Sequence, residues 1–123
     1  MRHAALALSL AVLPALALAA GDPARGEKVY ERCAACHSLT TDRTGPHHCG
    51  LLGRKAGSVP GFEYSKAMKE SKITWNERTL DRFLANPLKA VPGTSMGYAG
   101  IPDAGERRDL IAYLAHAAPC PKK

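Results

Sequence analysis

Apolar residues recur at helical intervals in three stretches of the chain. In the first, Val29, Cys33 and Cys36 fall at i, i+4 and i+7, the spacing of one helix face. Asp22 is a suitable N-cap and Pro23 suits the first helical position. A helix is therefore expected from Pro23 to about Cys36. The second runs from about Trp75 to Ala85, with Leu80, Phe83 and Leu84 as its apolar face. Thr74 and Glu77 have capping-box spacing, and Asn86-Pro87 stops the pattern. The third runs from Ala104 to Ala117, with Asp103 and Glu106 as a capping pair and Pro119 beyond its end. Its stripe is broad: Leu110, Ile111, Tyr113, Leu114 and Ala117. Ser65 to Glu70 reads as one further short helix. Between these elements, Ser38–Tyr64 and Pro87–Pro102 are irregular and carry several Gly and Pro residues. Loops of this length are unusual in a small domain unless they serve a function, and they suit a chain wrapped around something that is not protein. No convincing strand run, repeat or second domain is present.

The amino-terminal pattern is different. Ala4 to Leu18 is a run of Ala, Leu and Val broken only by Ser9 and Pro14, preceded by Arg2 and followed by small residues up to Ala20. That is the form of a secretory signal, too short and alanine-rich for a membrane span. Residues 1–20 are expected to be removed, leaving 21–123 as one soluble, periplasmic domain. Of 123 residues, 17 are Lys or Arg and 11 Asp or Glu, a net charge of +6, and the leader takes only Arg2 with it. The excess favours acidic partners. The basic residues are scattered among acids with no aromatic interleaving, which argues against nucleic acid.

The chemistry centres on CAACH, Cys33 to His37. A thioredoxin-like redox pair would want a βαβ context, and the preceding segment is helical. A structural zinc site could draw on Cys33, Cys36, Cys49 and either His47 or His48, but it leaves the long loops and Cys120 without a role. Covalent haem uses every part of the motif. Two thiols add across two vinyl groups, and the adjacent histidine becomes an iron ligand. Export fits, because this attachment is made outside the cytoplasm.

Nearly all of the chain from Gly21 to Ala117 resembles class I c-type cytochromes, the mitochondrial cytochrome c and its soluble bacterial relatives. The matching pieces are GDPARGEKVYERCAACH, TGPHHCGLLGRKAG, PGFEYSKA, ITWNERTLDRFLANP, VPGTSMGYAGI and ERRDLIAYLAHA. The resemblance implies an all-α cytochrome c fold, three main helices plus long loops wrapped around one covalent haem c. It implies first and last helices that cross, with Gly26 allowing close approach to Leu110 and Tyr113 and Tyr30 packing beside them.

Spacing alone favours Met96, in a Pro/Gly loop, over Met68 as the sixth iron ligand, and the resemblance assigns Met96. It also implies that the Pro46 carbonyl accepts from the His37 ring. Tyr64 and Trp75 are to bind one haem propionate with Arg54 nearby, and Ser65 and Thr94 to serve the other. His47, His48 and His116 are expected to be surface or structural. Phe83 and Met68 stand where the mitochondrial form has tyrosine and asparagine, which implies a drier pocket around the Met96 sulfur. Arg32, Arg43 and Lys89 match basic positions of the family's docking rim, while Leu88, Ser95 and Asp103 depart from it. Cys49 and Cys120 are left over from haem attachment. In the family's fold the end of the last helix comes near the first loop, so an exported chain is expected to bridge them; two unpaired thiols are the alternative.

A neutral thioether opposite an imidazole fills both axial places and favours ferrous iron. The expected function is therefore one-electron transfer and not enzymatic. The chain would be a periplasmic, monomeric carrier from a quinol-oxidising complex to an oxidase, reaction centre or reductase. Its partners would be membrane electron-transfer complexes with acidic docking surfaces, met without stable membrane insertion. The alternative is a zinc-stabilised binding module without redox activity.

Overall fold

The computed structural model describes residues 20–117 and 119–122. The expected leader lies outside the described residues except for Ala20. Five helices follow in order: α1 (Pro23–Tyr30), α2 (Lys66–Glu70), α3 (Glu77–Ala85), α4 (Pro87–Ala90) and α5 (Ala104–His116). Among the described residues the only β pairing is an isolated bridge between Lys55 and Thr74. No described helix is long and apolar enough to cross a membrane.

Helix α1 starts as its sequence predicts. The Asp22 carboxylate accepts from the N–H groups of Ala24 and Arg25, and Pro23 needs no partner. It ends earlier than expected. Past Tyr30 the backbone tightens to i→i+3 bonds: Arg32 donates to Val29, Cys33 to Tyr30, Ala34 to Glu31 and Cys36 to Cys33. In such turns side chains three apart eclipse. The shortened helix therefore stacks Cys33 above Cys36 more directly than a continuous α-helix would.

Helix α1 packs on α5, the most extensive helix–helix contact in the molecule. Gly26 makes it possible, since a Cβ there would overlap the Asp109 carbonyl oxygen and crowd Tyr113 Cβ. Tyr30 does pack beside the contact, with its ring 5.3 Å from that of Tyr113. Asp109, buried in the joint, accepts from Asp22 N–H at 2.7 Å and Arg25 Nε at 2.8 Å.

Helix α3 begins two residues later than its pattern suggests. Trp75 is held extended by the 53–56 loop: its N–H donates to Arg54, and its carbonyl accepts from Gly53. The cap passes from Thr74 and Glu77 to Asn76 and Thr79, whose side chains each accept from the other's backbone N–H at 2.9 Å. Asn86 ends α3 and then caps α4 by accepting from Lys89 N–H. A pair read only as a stop is therefore also a start, which is why α4 goes unseen in the sequence. Ser65 caps α2 by accepting from Met68 N–H.

The core gathers Val29 and Tyr30 from α1, Leu80, Phe83 and Leu84 from α3, and Leu110, Ile111 and Leu114 from α5, with Leu51, Trp75, Val91 and Ile101 from the loops. At the carboxyl end, Cys49 and Cys120 meet in disulfide geometry with Cα atoms 4.9 Å apart, inside the span a bridge requires.

Candidate functional site

The core is not closed. A cavity of about 520 Å³ opens within it, walled by Leu51, Met68, Trp75, Leu80, Phe83, Leu110 and other apolar side chains. Protein interiors hold few voids larger than a water molecule. An apolar space of this size in so small a chain marks the candidate ligand site. A second, more open groove of about 730 Å³ lies between α2, α3 and the 90–93 turn, lined by Lys66, Glu70 and Arg82. It contains no cysteine, histidine or methionine.

Cys33, Cys36 and His37 line one wall of the first cavity, and neither cysteine is in a disulfide. His37 is buried, and its ring is held from several directions. The Nδ1–H donates to the Pro46 carbonyl at 2.8 Å, which fixes the tautomer and leaves Nε2 as the ligand atom. Gly45 lies so close that any Cβ would overlap the imidazole. His48 stacks on the ring with centroids 4.2 Å apart and planes 23° from parallel. Burial lowers the pKa of His37, and the Pro46 carbonyl works the other way, so the neutral form suited to a metal is favoured.

Gly45 and His48 were not among the residues expected here. The Gly-Pro pair was visible in TGPHHCG, but the return of that loop onto His37 depends on backbone pairing across the loop, with Cys36, Ser38 and Leu39. His48 N–H donates to Ser38, Cys49 N–H to Leu39, and Gly45 N–H to Cys36. His48 also shares a hydrogen bond of 3.1 Å with Tyr30 Oη through Nδ1. Burial first, then neighbouring His37, holds the pKa of His48 down to about 3. Burial likewise pushes the Tyr30 phenol up to about 12. Both groups are neutral at pH 7.

Met96 enters the same cavity from the loop after α4, half-buried, with its N–H donating to Thr94 Oγ1 at 3.3 Å. Met68 also reaches it, from α2. The cavity therefore presents an imidazole, two thiols and two thioethers within apolar walls, a donor set that fits an iron porphyrin.

Arg54, Tyr64, Ser65, Trp75 and Thr94 border the cavity too. The Arg54 guanidinium donates to the carbonyls of His47 (2.9 Å) and Cys49 (3.3 Å). Burial lowers its pKa, with the neighbouring Tyr64 opposing. Tyr64 Oη and Ser65 Oγ each accept one backbone N–H, from Val59 and Met68, which leaves their own protons to donate. A cation with hydroxyl and indole donors beside an apolar space suits the carboxylates of a largely apolar ligand.

The zinc alternative is not assembled. Among the described residues the one cluster of three metal-ligating side chains is His47, Cys49 and Cys120, without Cys33 or Cys36. His47 is turned to Asp42, donating from Nδ1 at 2.7 Å. Of the expected basic rim, Arg32 makes a two-pronged ion pair with Glu106 at 2.6 and 2.7 Å. Arg43 donates to the Ala34 carbonyl. Lys89 is exposed beside Leu88, itself 53% exposed.

Comparison with known proteins gives the family. The family model described as Cytochrome c matches residues 23–118. Cytochrome c2 of Rhodomicrobium vannielii is 48% identical over 107 residues, covering 85% of this chain and 86% of that protein. Cytochrome c of Chlamydomonas reinhardtii is 49% identical over 102 residues, covering 80% and 91%. Among solved structures, cytochrome cH from Methylobacterium extorquens superposes with a TM-score of 0.76 at 44% identity, over 77% of this chain and 98% of that one.

Proposed function

The chain belongs to the cytochrome c family, and on that premise we propose that it is an exported one-electron carrier whose haem c is held between His37 and Met96. The observation that carries this reading is the single apolar cavity bordered by Cys33, Cys36, His37 and Met96 together. Cys33 and Cys36 would carry the covalent attachment, and His37 Nε2 and Met96 Sδ would be the iron's protein ligands. When bound, the haem supplies a one-electron ferric/ferrous couple, which the neutral thioether biases toward the ferrous state.

The chain's own residues set the conditions for that couple. His37 is kept neutral by burial and oriented by Pro46. Met68 and Phe83 keep the Met96 side dry. Arg54, Tyr64 and Trp75 would receive one propionate, and Ser65 and Thr94 the other. With His37 and Met96 both committed as ligands, no position remains for a substrate, so the protein carries electrons and is not an enzyme. Residues 1–20 act as the leader and 21–123 as the carrier, placing it in the periplasm, where Cys49 and Cys120 are oxidised to a disulfide. The excess of basic residues matches membrane complexes with acidic docking faces, a quinol-oxidising complex as donor and an oxidase, reaction centre or reductase as acceptor.

Expression of the full chain in a host that matures c-type cytochromes tests the reading. Periplasmic protein with one covalent haem, sharp reduced bands and reversible one-electron reduction is the expected result. A colourless protein, or one retaining two free thiols at Cys33 and Cys36, would overturn it.

A further inference from the structure

His48 has no place in the function so far, yet it is one of the most constrained side chains in the molecule. Its backbone N–H donates to Ser38, the next residue's N–H donates to Leu39, and the carbonyls on either side, of His47 and Cys49, accept from Arg54. Its ring is tied to Tyr30 Oη, and Tyr30 is itself buried in α1. The ring then lies nearly parallel on His37 at 4.2 Å. This is stacking contact between two flat groups, one anchored independently of the other.

The Pro46 hydrogen bond fixes one atom of the His37 ring, Nδ1. Gly45 closes on the ring as well, and a flat neighbour stacked on the ring's face adds the contact that resists rocking about the Nδ1 bond. We propose that His48 is a positioning residue, its Tyr30-anchored ring setting the plane of the His37 imidazole. The inference rests on His37 being the haem ligand. Groups that hold a metal-bound histidine in one orientation tune the site without touching the metal. The anchoring Tyr30 is the last residue of α1, so the helix that leads into the Cys33–Cys36 turns also sets the attitude of His37.

Paramagnetic NMR of the ferric holoprotein reads this directly, because the plane of an axial imidazole governs how unpaired spin spreads over the haem methyl groups. His48→Ala should redistribute the haem-methyl shifts. His48→Phe keeps a flat ring but loses the Nδ1 anchor to Tyr30, and it should move the shifts less than His48→Ala does. Tyr30→Phe removes only the anchoring hydroxyl and should move the shifts in the same sense as His48→Ala, by less. If His48→Ala does not mature, Tyr30→Phe against wild type decides alone. Unmoved shifts in His48→Ala or, failing that variant, in Tyr30→Phe would overturn the proposal, as would equal displacement in His48→Phe and His48→Ala. A wild-type ferric protein without a low-spin histidine–methionine spectrum would instead remove the ligand assignment beneath it.

Discussion

Met96 and Met68 both reach the cavity, but they are held differently. Met68 is buried on the capped helix α2 and belongs to the core. Met96 sits half-buried on a loop, tethered through Thr94, where its sulfur is free to be directed by a ligand. Met96→Ala should therefore abolish the weak red charge-transfer band of the ferric protein, admit small exogenous ligands and lower the potential. Met68→Ala should keep that band and cost stability, about 2 kcal/mol or more for a core methionine. The reverse pattern in visible spectra would reassign the ligand. At Gly45 the argument is steric. A methyl group there overlaps the His37 ring, and the ring is already fixed by Pro46. Ordinary overpacking costs about 1–3 kcal/mol, and this contact belongs at the upper end. Gly45→Ala is expected to reduce the yield of haem-loaded protein sharply, as measured by haem per polypeptide; a normal yield would show that the loop moves away freely.

At the scale of elements, the packing of α1 on α5 depends on a buried carboxylate. The Arg25 guanidinium, and after it the Asp22 backbone N–H, hold Asp109 below the usual aspartate pKa. A depressed folded-state value means that the stabilisation is present above the ordinary pKa of about 4 and is lost as pH falls through the lower, folded value. Melting temperature should therefore drop on acidification below about pH 4, and the drop should be shallower in Asp109→Asn, whose stability is lower at neutral pH. Equal acid slopes in the two proteins would place the acid sensitivity elsewhere. The element boundaries show how far local sequence reaches. The Asp22-Pro23 start of α1 and the Asp103 start of α5 follow from neighbouring residues and were readable. The early end of α1 and the late start of α3 were not. Trp75 belongs to a good helical pattern, but Gly53 and Arg54, more than twenty residues away, occupy its backbone groups.

For the molecule as a whole, the covalent and electrostatic ties decide behaviour. Cys49 and Cys120 lie 71 residues apart in sequence. Closing such a loop is worth about 4 kcal/mol in the chain-entropy model, and about 2 kcal/mol is expected where a bound haem already cross-links the fold. Denatured, unreduced protein should show no titratable thiol. Replacing both cysteines with serine should lower the melting temperature and leave the haem bands unchanged; two free thiols in the native protein would disprove the bridge. Docking should be salt-sensitive, because exposed charges are screened. Arg32 borders the cavity mouth but is engaged by Glu106. Glu106→Gln should release it and raise the rate of electron transfer to an acidic partner at low ionic strength, with the gain vanishing in high salt. Lys89→Glu should slow the same reaction. Stopped-flow rates insensitive to both would indicate an apolar docking face around Leu88.

The identity of the site was written in contiguous residues. CAACH is legible because its two thiols and imidazole are neighbours in sequence, and the helices announce themselves because 3.6-residue periodicity and caps are local properties. The tertiary structure decided what depends on distant segments meeting. It brought Met96 into the cavity with His37 from a loop 59 positions later in the numbering, and Cys120 to Cys49. It turned His48 from a loop residue into a ring stacked on His37, through backbone bonds to Ser38 and Leu39 and a side-chain bond to Tyr30. No periodicity encodes such contacts. They exist because buried backbone groups must find partners, and in long loops those partners are wherever the fold puts them.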